Sequence, residues 1–133
     1  MLRRIAVLML ALMLSTVAST VAHAQRGGRF VLLGERHIDG NLDNDKIDIG
    51  RDNGRFRAIQ FRVYGGRVMF DRIVVRYLNG ESNDIRVHSE VLDGGKSRLL
   101  DLPGENRVIE SVSMWYAKRN WRTRPTVRVY GIR

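Results

Sequence analysis

Period-two alternation across Arg55–Asn79 constrains this chain more than any other feature. Ile59, Phe61 and Val63 alternate with Gln60, Arg62 and Tyr64. After Gly65-Gly66 the alternation resumes with Val68 and Phe70, then with Ile73, Val75 and Tyr77. Such alternation sends successive side chains to opposite faces of a sheet. Glycine adopts positive φ without steric cost, so Gly-Gly between two such runs predicts a hairpin turn. The expectation is two long antiparallel strands, one face apolar and the other carrying arginine. The phase slips by one residue at Asp71-Arg72, where a β-bulge restores the inward direction of the residues that follow. Ile59, Phe61, Val63, Phe70, Ile73 and Val75 are predicted core.

The flanking segments read the same way. Phe30–Leu33 is a short apolar run ended by Gly34, expected to be a strand buried on both faces, and Glu35–Asp45 is a polar, acidic loop. Lys46–Ile49, Asp84–His88, Leu99–Leu102, Arg107–Tyr116 and Thr126–Tyr130 are further strands, separated by Asn79-Gly80, Asp93-Gly-Gly95 and Pro103-Gly104. About eight short strands with turn signals about every 8–12 residues predict an all-β, antiparallel, jelly-roll-like β-sandwich. A membrane β-barrel needs apolar outward positions, and Arg57, Arg62, Arg72, Arg76 and Arg86 occupy them here.

The first residues are set apart from that fold. A basic start at Arg3-Arg4, an apolar run over Ile5–Val21 and the small-x-small site Ala22-His-Ala24 form a signal peptide. Cleavage after Ala24 is expected, leaving one mature domain, Gln25–Arg133, exported to the periplasm or beyond and without a transmembrane segment. The chain has no cysteine, so neither a disulfide nor a lipid-modified cysteine braces or anchors it. The formal net charge is +9, and of the 23 basic side chains only Lys46, Lys96 and Lys118 are lysine. Arginine favours planar, bidentate contact with carboxylate, phosphate or sulfate and stacking on aromatic rings.

Three constellations bear on chemistry. In the acidic loop, Asn41, Asp43, Asp45 and Asp52 fall at the first, third, fifth and twelfth positions of a calcium loop. Lys46 stands where that loop needs Gly, however, and Asp replaces the terminal Glu. Asp43 and Asp45 are thus a weak calcium candidate, and a solvated loop offsetting neighbouring arginines is the better reading; no metal or cofactor is expected. Next, Lys118, Arg119, Arg122 and Arg124 surround Trp121. That loop suits stacking of a sugar ring with guanidiniums holding an anionic group, although a Trp cap with arginines stacked on it is the commoner arrangement. It is the best candidate binding site. Third, Arg57, Arg62, Arg72, Arg76 and Arg86 are expected on one outer face, with Asp71, Glu81, Asp84 and Glu110 as interleaved acids.

Nucleophilic catalysis finds little support. His88, Ser89 and Glu90 are triad members by name, but consecutive strand residues point to alternating faces. No G-x-S-x-G elbow, P-loop or dinucleotide fingerprint occurs.

The order of motifs also carries a resemblance. V-L-L-G-E-R, an acidic loop, D-K-I-x-I-G-R, G-R-F-R-A-I-x-F-R-V, R-I-V-V-R-Y-x-N-G, L-D-L-P-G-x-x-R-V-I and a terminal V-R-V-Y-G follow one another through Phe30–Gly131. In that order the chain resembles a group of short exported bacterial β-sandwich proteins classed as a domain of unknown function. The resemblance implies the architecture and assigns no catalytic residue. The expectation is a non-enzymatic binding or envelope-associated module, with an anionic polysaccharide or envelope component as ligand and no nucleic acid. The alternative is a structural domain that docks a partner, or a second copy, through a sheet edge; a hydrolase, which needs two carboxylates converging in a cleft, is the least favoured.

Overall fold

In the computed structural model, residues 28–38, 44–117 and 124–133 are described. The expected leader Met1–Ala24 lies outside them. Eight strands form: β1 Phe30–His37, β2 Asn44–Asp48, β3 Ala58–Tyr64, β4 Val68–Tyr77, β5 Ser82–Val91, β6 Leu100–Asp101, β7 Ile109–Tyr116 and β8 Thr126–Ile132. They make two four-stranded sheets, ordered β1-β8-β3-β6 and β2-β7-β4-β5, and every ladder is antiparallel.

The core lies between the inner faces of the two sheets. The six residues predicted as core from the central stretch are all fully buried. Phe61 of the first sheet meets Phe70 of the second at 5.2 Å between ring centroids, and Phe70 meets Tyr116 at 5.9 Å, both tilted. Tilted aromatic pairs place the ring edge of one over the face of the other and favour this close packing.

The bulge is where the alternation requires it. Both ladders of β4 shift register between Phe70 and Arg72: against β7 Asp71 is the extra residue, whereas against β5 the extra residue falls on β5, where Val87-His88 oppose Asp71. Ile73, Val75 and Tyr77 therefore return to the core. Across the bulge, His88 adopts a left-handed φ of 39°, and its Nδ1 lies 3.1 Å from the Asp71 carboxylate.

The expected central hairpin is corrected. β3 and β4 do not pair; they belong to different sheets, and Gly65-Gly66 carries the chain from one to the other. Both glycines have positive φ, 80° and 153°, and the Gly65 N–H donates to the Asp93 carboxylate at 2.8 Å. Two alternating runs around a tight turn can lie side by side or face each other across a core. The second arrangement wins because each strand finds antiparallel partners elsewhere. The true hairpin is β4–β5, through Asn79-Gly80, where the Asn79 side chain accepts the Glu81 N–H at 3.0 Å.

β1 also differs from expectation. It is an edge strand, with Phe30 and Leu32 exposed at 44% and 50%, and it continues past Gly34 to His37 on its ladder with β8. The expected loop thus begins after His37.

The registers define two ends of the sandwich. Phe30, Ile132, Ala58 and Asp101 align at one end, which we call the terminal end because Gly28 and Arg133 lie there. The turns Arg51–Asn53, Leu78–Glu81 and Leu102–Val108 belong to it. His37, Thr126, Tyr64, Val68 and Val91 mark the opposite end.

Candidate functional site

The change of sheet at Gly65-Gly66 splits the expected arginine face. Arg62 lies on the first sheet, Arg72, Arg76 and Arg86 on the second, and Arg57 just ahead of β3 at the terminal end. Most strand-face cations already have protein partners. Arg72 meets Asp84 at 3.0 Å and lies 4.2 Å over the Trp115 ring, and Arg76 meets Glu110 at 3.1 Å. Arg128 meets Glu35 at 2.7 Å and covers Tyr64, and this ion pair holds the Arg128 guanidinium above its usual pKa. Arg62 sits over the rings of Tyr130 and Phe30. Such exposed pairs are weak and screened by salt, yet they neutralise the faces. Of the acids expected to interleave, Asp84 and Glu110 do so, whereas Asp71 takes His88 and Glu81 takes Arg107.

Of the loop residues named from sequence, Lys118, Arg119, Trp121 and Arg122 lie outside the described residues. Arg124 is exposed and immediately precedes Pro125, whose carbonyl accepts the Ile38 N–H at 2.9 Å. Asp43 is also outside them. Asp45 is buried and committed to the fold: one carboxylate oxygen accepts from Arg36 Nε at 3.2 Å and the other from the Tyr116 hydroxyl at 3.4 Å. Burial, reinforced by Asp45, pushes the Tyr116 hydroxyl well above its ordinary pKa. Among the described residues no group of three or more His, Cys, Asp or Glu is placed to hold a metal.

The terminal end carries two recesses. A recess of about 890 Å³ is lined by Arg57, Arg133, Asp101 and Glu105, with Pro103-Gly104 as one wall. The backbone builds it. The Arg57 N–H donates to the Ile132 carbonyl, and the Arg57 carbonyl accepts from Leu102, which ties β3, β8 and the turn after β6 together. Gly104 and Glu105 both take left-handed φ, 95° and 56°, which holds the turn in a tight curl. Arg133 is fixed by a hydrogen bond to the Asn53 carbonyl and lies 5.3 Å over the Phe56 ring.

A second recess, about 270 Å³, is lined by Arg55, Arg107, Asn79, Asn106 and Tyr77. Arg107 lies flat on the Tyr77 ring at 3.8 Å, donates to Glu81 at 2.7 Å and reaches the Pro103 carbonyl at 3.2 Å. Arg55 donates to the Asn106 carbonyl at 3.3 Å. Arg107 holds the Glu81 carboxyl below its ordinary pKa, while burial pushes the Tyr77 hydroxyl up against the opposing pull of Arg107. That hydroxyl is buried without a hydrogen-bond partner.

Sequence reasoning missed these recesses, although a signal for one of them was present. Arg57 is in phase with Ile59, Phe61 and Val63, not with Arg62. A charged residue in inward phase just before a strand belongs at the mouth of the core, where its head reaches water.

A small antiparallel two-sheet β-sandwich with two recesses at one end is the class of protein defined here. Within it, the chain belongs to the family described as Domain of unknown function (DUF2541), whose model matches residues 6–131. That agrees with the resemblance carried by the motifs. Among solved structures, the chain is similar to one described as "Structural and functional characterization of Pseudomonas aeruginosa AlgX". The likeness has a TM-score of 0.51 at 12% identity, covering 79% of this chain and 27% of that one. It shows the fold, and the chain spans about a quarter of that protein. No curated protein matches the chain. No helix among the described residues is long and apolar enough to cross a membrane.

Proposed function

We propose that this is an exported, non-catalytic binding module for an anionic ligand, an acidic polysaccharide or another acidic component of the cell envelope. The observation that carries the reading is the recess lined by Arg57 and Arg133, beside a second one lined by Arg55 and Arg107. Arg107 is held by Glu81 and Tyr77, and Arg55, Arg57 and Arg133 line concave surface where an anionic group finds N–H donors from more than one guanidinium. A purely binding role suits the separate engagements of His88 with Asp71 and of Glu90 with Arg67. The segment of Lys118, Arg119, Trp121, Arg122 and Arg124 is a second candidate contact on its sequence alone.

Binding of the mature chain to immobilised polygalacturonate, at low and at physiological salt, tests the reading. Binding should weaken strongly with salt, and Arg57→Ala with Arg133→Ala should weaken it about tenfold or more, the scale of a lost charge-assisted hydrogen bond. Loss on Trp121→Ala, with the double arginine variant unaffected, would move the site to the Trp121 segment. Salt-independent binding would overturn the anionic-ligand reading.

One observation favours a docking role. Among the described residues no strand pairs with the outer edge of β1, and Phe30 and Leu32 are exposed on that strand. Such an edge pairs readily with another strand. Light scattering after size exclusion reads this directly: a Leu32-dependent dimer supports it and a strict monomer removes self-association.

A further inference from the structure

The two recesses straddle one turn, and their chemistry is mixed. Arg55 and Arg57 flank the fully buried Phe56, so their Cα atoms are at most roughly 7 Å apart. Phe56 pairs with Arg107, from which the side chain returns to the Pro103 carbonyl, so one short segment forms a ridge between both hollows. The larger recess sets Asp101 and Glu105, both exposed, beside its two arginines. A purely phosphate-bearing ligand is repelled by those carboxylates. No aromatic side chain lines that recess, so a nucleobase has nothing to stack on there. A ligand that alternates carboxylates with hydroxyls satisfies both charge types: guanidiniums donate to its carboxylates, and Asp101 and Glu105 accept from its hydroxyls.

Resting on the anionic-ligand reading above, the geometry points to a linear, carboxylated polysaccharide lying across the Pro103–Arg107 ridge, with successive acidic sugar units in the two recesses. Its carboxylates meet Arg57 and Arg133 on one side and Arg55 on the other. Arg107 stays on Tyr77 and Glu81 and shapes the ridge.

Calorimetric titration of the mature chain with galacturonic acid, a galacturonate tetramer and a single-stranded DNA oligonucleotide tests this. The tetramer should bind at least tenfold more tightly than the monomer, because only it reaches both recesses. Arg55→Ala should reduce tetramer binding and leave the monomer unchanged. The acids give the decisive sign. Asp101→Asn and Glu105→Gln remove negative charge from a basic site, so they must strengthen binding of any ligand recognised by charge alone. Here they should weaken tetramer binding several-fold. Both are near-isosteric changes at exposed positions, and unchanged thermal unfolding verifies their fold. If they strengthen tetramer binding, or if DNA binds the unmodified chain as tightly as the tetramer does, the polysaccharide inference fails while the anionic site stands. If the tetramer binds but Arg57→Ala with Arg133→Ala changes nothing, both readings of this end of the molecule fail.

Discussion

Tyr77 and Tyr116 show how one residue type serves opposite ends of a sandwich. Both are buried, and burial pushes both hydroxyls above the ordinary tyrosine range. Only Tyr116 is shown donating its proton, to Asp45. A group whose folded pKa is raised contributes stability that is fully present below its unfolded pKa, near 10, and lost as pH rises through the folded value. Stability should therefore fall above about pH 10, and Tyr116→Phe should flatten that fall in urea titrations taken at successive alkaline pH values. At neutral pH the same substitution should cost about 0.5–1.5 kcal/mol, for the lost hydrogen bond and the acceptor left buried. Tyr77→Phe should instead leave stability unchanged or raise it by up to about 1 kcal/mol, since it removes an unpartnered buried hydroxyl. The inward direction of both tyrosines was legible from alternation. Their different hydroxyl environments were not, because Asp45 lies 71 residues from Tyr116 and no local pattern records such a contact.

At the level of strands, what could be read from the chain is what depends on phase. The alternation of β3 and β4, the extra residue at Asp71 and the Asn79-Gly80 turn all follow from side-chain direction and turn chemistry, and all are present. The partner of each strand was not readable. Gly65-Gly66 reverses the chain equally well within a sheet or between sheets, and the choice is made by β8 and β7, which come much later in sequence. The same ambiguity merged two outer faces into one arginine ladder and hid the mouth position of Arg57. The bulge itself offers a sharp test. Deleting Asp71 removes the phase correction and turns Ile73, Val75 and Tyr77 outward, so cooperative unfolding should disappear from denaturant titrations. Asp71→Ala keeps the residue count and should unfold cooperatively, within about 1 kcal/mol of the unmodified chain. If the deletion variant unfolds like the unmodified chain, the register of β4 is wrong.

At the scale of the molecule, both the flat faces and the hollows among the described residues combine arginine with acid. The flat faces carry arginines matched by acids or rings, and the hollows of the terminal end carry arginines mixed with a few acids. The architecture was legible as strand count and turn spacing, whereas the larger hollow arises only where Gly28, Arg57, Asp101–Glu105 and Arg133 come together from separate parts of the chain. One further property follows from the backbone contact between Arg133 N–H and the Arg29 carbonyl, 3.2 Å, with Phe30 opposite Ile132. The domain begins and ends at adjacent points, so it is topologically close to a ring. A circular permutant that joins Arg133 to Gly28 through a short glycine linker, and opens the chain between Ala117 and Arg124, should fold to the same two sheets with a single cooperative melt. The new ends would then emerge far from the hollows. In the native order, anything attached to either end of the domain emerges beside them, so a tether and a bound ligand compete for the same side of the molecule.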